Sequence, residues 1–82
     1  MGCYKVSIRH SAVAELGAAP FPFRRQINQR LMRLKEDPRP ADAELVSEKE
    51  KHRLRIHGWR VLYEVDDARR LVTIWAVLKE LE

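Results

Sequence analysis

The last third of the chain constrains the fold most. From His52 the sequence reads HRLRIHGWRVLYEVDD and, after a short polar stretch, LVTIWAVL. Apolar and polar residues alternate there with period two, the repeat of a half-buried β-strand. Leu54 and Ile56 fall on one face of the strand at residues 50–56, and Arg53 and Arg55 on the other. His57-Gly58 then has the make-up of a two-residue hairpin turn, with glycine supplying positive φ. Residues 59–65 form the returning strand, 66–69 turn again, and 71–78 form the last strand. The nearly continuous apolar character of that last run predicts a central strand covered on both faces.

Three such strands have an apolar face that needs a covering layer, and the first half of the chain supplies it. YKVSIR, residues 4–9, alternates Tyr4, Val6 and Ile8 against Lys5, Ser7 and Arg9, which predicts a first strand. Ser11 stands where a helix N-cap is expected, Val13 and Leu16 follow at helical spacing, and Gly17 closes a short helix. Pro22 suits the first turn of a second helix, where its missing N–H costs nothing. Phe23, Ile27, Leu31 and Leu34 make its apolar stripe. Pro38 and Pro40 end it, and RPADAELVSEKEK reads as a polar, acidic linker. The expected fold is α+β in the order β-α-α-β-β-β. A helical hairpin packs on one face of a four-stranded, mostly antiparallel sheet, leaving the other face to the arginines. Residues 1–82 suffice for one small domain.

Composition narrows the function classes. Charged residues make up 34% and the formal net charge is +4, which favours a polyanionic partner or an acidic protein. One cysteine, Cys3, excludes an intrachain disulfide and fits a reducing, cytoplasmic setting. His10, His52 and His57 have no metal-ligand spacing, so no structural metal or cofactor is expected. No run approaches the roughly 20 apolar residues of a membrane span. MGCYKV has Val6 where the myristoylation pattern wants Ser or Thr.

The order of elements, the EDPRP that closes the helical hairpin, and HRLRIHGWRVLYEVDDARRLVTIWAV together resemble the RelE/ParE toxin superfamily of type II toxin–antitoxin systems. Members often show L-R-V-G-x-Y-R-V-x-Y-x-V-D, then a turn and a V-x-V-x-x-V strand. The likeness spans nearly the whole chain and rests on the ordered combination, not on one short motif. It implies a RelE-like fold and a small basic toxin neutralised by an antitoxin that wraps around it. The RelE branch enters the ribosomal A site and cuts mRNA without a metal. The ParE branch poisons DNA gyrase and is not a nuclease. In both, DNA contact comes through the antitoxin.

Metal-free RNA cleavage needs a group to take the 2′ proton, a group to protonate the leaving oxygen, and cations to stabilise the phosphorane. Arg60 matches the arginine of the family's G-Y-R pattern, which implies a phosphate-binding, transition-state-stabilising role; a guanidinium can grip two phosphate oxygens at once. Arg53 and Arg55 share a face by period two and are expected near Arg60 across the hairpin. Lys79 matches a basic position after the last strand in some relatives. The structural alternative for Arg53 and Arg55 is pairing with Glu48, Glu50 or Glu64, and for Lys79 a frayed terminus. His52 is expected on the face opposite Arg53, and Trp59 and Tyr63 in the core with Val61 and Val65.

The chain departs from the family pattern at AVLKELE. Active RelE-type nucleases commonly continue past the last strand with an arginine and a tyrosine or histidine, whereas Glu80 stands where a basic residue is expected. The general acid and base are thereby unassigned. A shortened chain, a weak or inactive toxin that only binds antitoxin, and a ParE-like member all fit this departure. Without a tail, Leu62, Trp75 and Val77 are expected to be exposed as a partner site.

Overall fold

The computed structural model describes residues 3–47 and 50–80. Strand β1 (Lys5–Ile8) leads into helices α1 (His10–Ala18) and α2 (Phe21–Arg33). Four strands follow: β2 (Glu44–Ser47), β3 (Lys51–Ile56), β4 (Trp59–Asp66) and β5 (Leu71–Lys79). They form one mixed sheet in the order β1-β5-β4-β3-β2, with β1 parallel to β5 and every other pair antiparallel. Both helices cover one face, as expected.

The fifth strand, β2, comes from the stretch expected to be a linker. Burial does not drive it: Leu45 and Val46 are 62% and 46% exposed. Backbone pairing to β3 and the cross-strand bond from Arg53 Nη2 to Glu44 Oε2 at 2.7 Å hold it instead. Hydrophobic periodicity carries no trace of either contact.

Helix α1 begins at His10 with Arg9 at the cap position, so Ser11 lies inside the first turn and does not cap. It runs through Gly17 and stops before Ala19, which is extended at φ −70° and ψ 142°. Pro20 causes this, because a residue preceding proline is pushed out of the helical region. Ala12 and Leu16 take the buried positions, while Val13 is 51% exposed. Helix α2 has Pro22 in its first turn and buries Ile27, Leu31 and Leu34 at 1% exposure or less. Phe23 is only partly covered, tilted against Trp59 at 6.4 Å between ring centroids.

His57 (φ 48°) and Gly58 (φ 84°) both adopt the left-handed region, as a type I′ hairpin turn requires. Leu54, Ile56, Val61, Tyr63, Val65, Val72 and Ile74 point from the meander into the core with the helix stripe. Trp59 packs against this cluster. The core placement of Tyr63 and Trp59 is thus as the alternation predicts.

Strand β5 is not covered on both faces. Its buried residues are Val72, Ile74 and Val77, an alternation that skips one residue. The register moves from Tyr63↔Ile74 to Leu62↔Ala76, leaving Trp75 as the extra residue of a β-bulge. The apolar run reads as continuous because its inward phase changes midway. Val77 is consequently 2% exposed and belongs to the core, not to an exposed patch; Trp75 is 37% exposed. The pairing of β5 with β1 ends at Ile74, and farther along β5 Glu15 of α1 accepts a hydrogen bond from the Val77 N–H at 3.0 Å.

The EDPRP segment fastens the far end of the sheet. Tyr63 Oη donates to the Pro38 carbonyl at 2.9 Å. Arg39 bridges Glu50 and Asp67, each at 2.9 Å, and Tyr4 donates to the same Asp67. Hydrogen bonds from Arg39 and Tyr4 hold the Asp67 carboxyl below the usual range. Among the described residues no helix is long and apolar enough to cross a membrane.

Candidate functional site

The open face of the sheet is built by alternation. On β3, Lys51, Arg53 and Arg55 point away from the helices because His52, Leu54 and Ile56 point toward them. On β4, Arg60, Leu62 and Glu64 are the outward set between the buried Val61, Tyr63 and Val65. Register then fixes the neighbours: Arg55 lies opposite Arg60, Arg53 opposite Leu62, and Lys51 opposite Glu64. Facing residues of this kind have Cβ atoms about 5 Å apart. The three arginines singled out in the sequence therefore share one face.

Their electrostatic states differ. Arg53 is bonded to Glu44, and that pairing lowers the carboxyl's pKa. Arg55 Nε lies 3.6 Å from Glu80 Oε1. Glu80 is held in place by its N–H, which donates to the Gly58 carbonyl at 2.8 Å. The carboxylate standing where a basic residue is expected thus faces an arginine. Neither arginine pairs with Glu50 or Glu64: Glu50 serves Arg39, and Glu64 accepts from Trp75 Nε1 at 3.1 Å. Glu48 lies outside the described residues. Arg60 forms no ion pair with a described residue, and its Nε is buried without a hydrogen-bond partner. A half-buried guanidinium with no such partner is costly in a folded chain.

Lys79 is separated from the arginines. It pairs with Trp59 and, with Pro20 and Phe23, lines a cleft on the helix side of the sheet. The bulge at Trp75 turned its phase. His52 is 5% exposed on the helix side, stacked on Tyr63 at 5.3 Å with Nδ1 3.0 Å from the Glu50 carbonyl. Tyr63 is likewise buried, which raises its pKa to about 12. No histidine or tyrosine of the described strands stands on the arginine face. His57 sits on the turn and lines a cleft of about 470 Å³ with Arg55, Gln26, Gln29, Arg30 and Arg33.

Sequence reasoning passed over Lys51 and Arg9 as members of this face, although both continue the period-two pattern of their strands. The Arg9 guanidinium stacks 3.9 Å from the Trp75 ring centroid, and the Lys51 amine lies 5.5 Å from it. Trp75 itself was legible only as an exposed apolar residue. Among the described residues no three His, Cys, Asp or Glu side chains converge to hold a metal ion.

Comparison with known proteins bears on the fold and the family. The crystal structure of the isolated E. coli RelE toxin superposes with a TM-score of 0.87 at 22% identity, covering 98% of this chain and 87% of that one. The RelBE2 toxin–antitoxin complex of Mycobacterium tuberculosis gives 0.82 at 20% identity, with 95% and 99% covered. The archaeal RelE–RelB complex of Pyrococcus horikoshii gives 0.81 at 21% identity, with 93% of each chain covered. These likenesses show the fold. No curated protein sequence matches the chain. The family model described as ParE toxin of type II toxin–antitoxin system, parDE, matches residues 6–82. The chain therefore belongs to this family of type II toxins, within the RelE/ParE superfamily.

Proposed function

We propose that this toxin, a single domain over residues 1–82, inhibits translation by ribosome-dependent cleavage of mRNA and is neutralised by a cognate antitoxin. The observation that carries the reading is Arg60, which has no ion-pair partner among the described residues and a buried Nε, set opposite Arg55 on an open cationic face. Arg60 would bind the scissile phosphate and stabilise the phosphorane, and Arg53 and Arg55 would hold the flanking backbone. Lys79, on the other side of the sheet, would act on the helix-side surface instead. Several of the solved relatives are complexes with RelB-type antitoxins, which supports an antitoxin partner. The test is a translation reaction with purified ribosomes and a defined mRNA. Cleavage within the A-site codon is expected, falling about 100-fold or more for Arg60→Ala. Intact mRNA with the parent chain sinks the reading.

A second reading, a non-nuclease toxin acting on DNA gyrase, is favoured by a specific observation. No histidine or tyrosine of the described strands stands on the arginine face, and Arg53 and Arg55 already have carboxylate partners. Loss of gyrase supercoiling in the presence of the toxin, with mRNA untouched, would select it.

A further inference from the structure

Next to the arginines the open face has a slot of about 160 Å³, lined by Val46, Lys51, His52, Leu62, Tyr63 and Trp75. His52 and Tyr63 are buried and stacked on each other on the helix side. The walls are Leu62, Val46 and the Trp75 ring. Two irregularities border the slot. Trp75 stands at the bulge of β5, and Val46 lies between Leu45 and Ser47, where the register of β2 against β3 shifts. Trp75 is held by its bond to Glu64 and by the stacked Arg9 guanidinium, so its ring is pre-oriented. Lys51 is looser, and its head group can swing aside at little cost.

We propose that this slot takes one nucleobase of single-stranded RNA. The proposal rests on the RNA reading of the arginine face. The size suits a single planar heterocycle, and an aromatic wall recognises any base through its π-face. The surroundings are cationic, as the flanking sugar-phosphates require: Arg9 and Lys51 border Trp75, and Arg53 faces Leu62. Leu62 follows Arg60 by two residues on the same face, a step of about 7 Å along the strand. A base in the slot therefore sets which phosphate meets Arg60. Trp75 is a positioning residue: it fixes the register of the RNA and takes no part in proton transfer.

The test uses the intact chain carrying Trp59→Phe, so that Trp75 alone fluoresces. A short single-stranded RNA is expected to quench Trp75 emission, and inorganic phosphate is expected to leave it unchanged. An abasic nucleotide at one position should remove the quench. Trp75→Leu should weaken RNA binding roughly ten-fold, with Trp75→Phe retaining most of it. Val46→Phe, at an exposed edge position, should fill the slot and weaken binding without touching the fold. In the ribosome reaction Trp75→Leu should flatten the preference among cleavage positions, which a merely structural role would not do. Unchanged affinity in both Trp75→Leu and Val46→Phe overturns the proposal, as does quenching by phosphate alone. Failure of the two readings looks different: if Arg60→Ala abolishes RNA binding while Trp75 emission never responds, the slot fails and the arginine face stands. If Trp75 responds to RNA while Arg60→Ala changes nothing, the reverse holds.

Discussion

Two residues carry the clearest contrasts between stability and function. Arg60 has an orphaned, buried Nε, so removing it relieves a desolvated charge. Arg60→Met is expected to keep or raise stability by up to about 1 kcal/mol while weakening RNA binding. Urea unfolding beside an RNA titration checks both. Tyr63 is the opposite case, 1% exposed with its hydroxyl satisfied by the Pro38 carbonyl. Tyr63→Phe leaves that carbonyl without its donor and is expected to cost about 1–2 kcal/mol. Burial raises the Tyr63 pKa from 10.0 to about 12. The native state therefore favours the protonated phenol. Its stabilisation is whole below pH 10 and is lost as pH rises from there through about 12. Urea midpoints across that window should fall more steeply for the parent chain than for Tyr63→Phe.

At the scale of elements, the sheet is fastened at one end by a side-chain network and at the other by a tight turn. Arg39 ties the loop after α2 to the residue before β3 and to the β4–β5 turn, and through Asp67 to Tyr4 at the start of β1. Being on the surface, this network is screened. Arg39→Met is expected to cost no more than about 1 kcal/mol at low salt, and less in 1 M salt. The Asp67 pKa is depressed by Arg39 and Tyr4, so its contribution is present above the ordinary carboxylate range and fades as pH falls through the depressed value. Arg39→Met should therefore flatten the acid limb of the stability profile, read by circular dichroism melts between pH 2 and pH 7. The loop segment EDPRP thus works as a clamp. The sequence showed only that it stops a helix.

Across the whole molecule, helices on one face of the sheet and the strand arginines on the other make a two-sided body with a formal net charge of +4. If Arg53, Arg55 and Arg60 all meet phosphates, log affinity for single-stranded RNA should fall against log salt with a slope of roughly −2. Arg60→Met should make the slope shallower by roughly 0.7, since one phosphate contact is gone. Fluorescence anisotropy from 50 to 200 mM salt reads both.

The elements that span residues 51–79, the hairpin at His57-Gly58 and the shared face of Arg53, Arg55 and Arg60 were all legible in the sequence. Period two and turn chemistry are local properties of the backbone, and each residue's side is set by its immediate neighbours. The helix stripe of Ile27, Leu31 and Leu34 was legible for the same reason. What tertiary structure decided depends on pairing between distant residues. Strand β2 exists because β3 offers it an edge, not because its own side chains seek burial. The bulge at Trp75 is a matter of register between β4 and β5. It sends Val77 inward and Lys79 to the helix side, because local alternation has no means of counting the extra residue, while Trp75 keeps the outward side that alternation from Ile74 gives it. The carboxylates that meet Arg53 and Arg55, Glu44 on β2 and Glu80 just past β5, are brought to β3 only by the folded sheet.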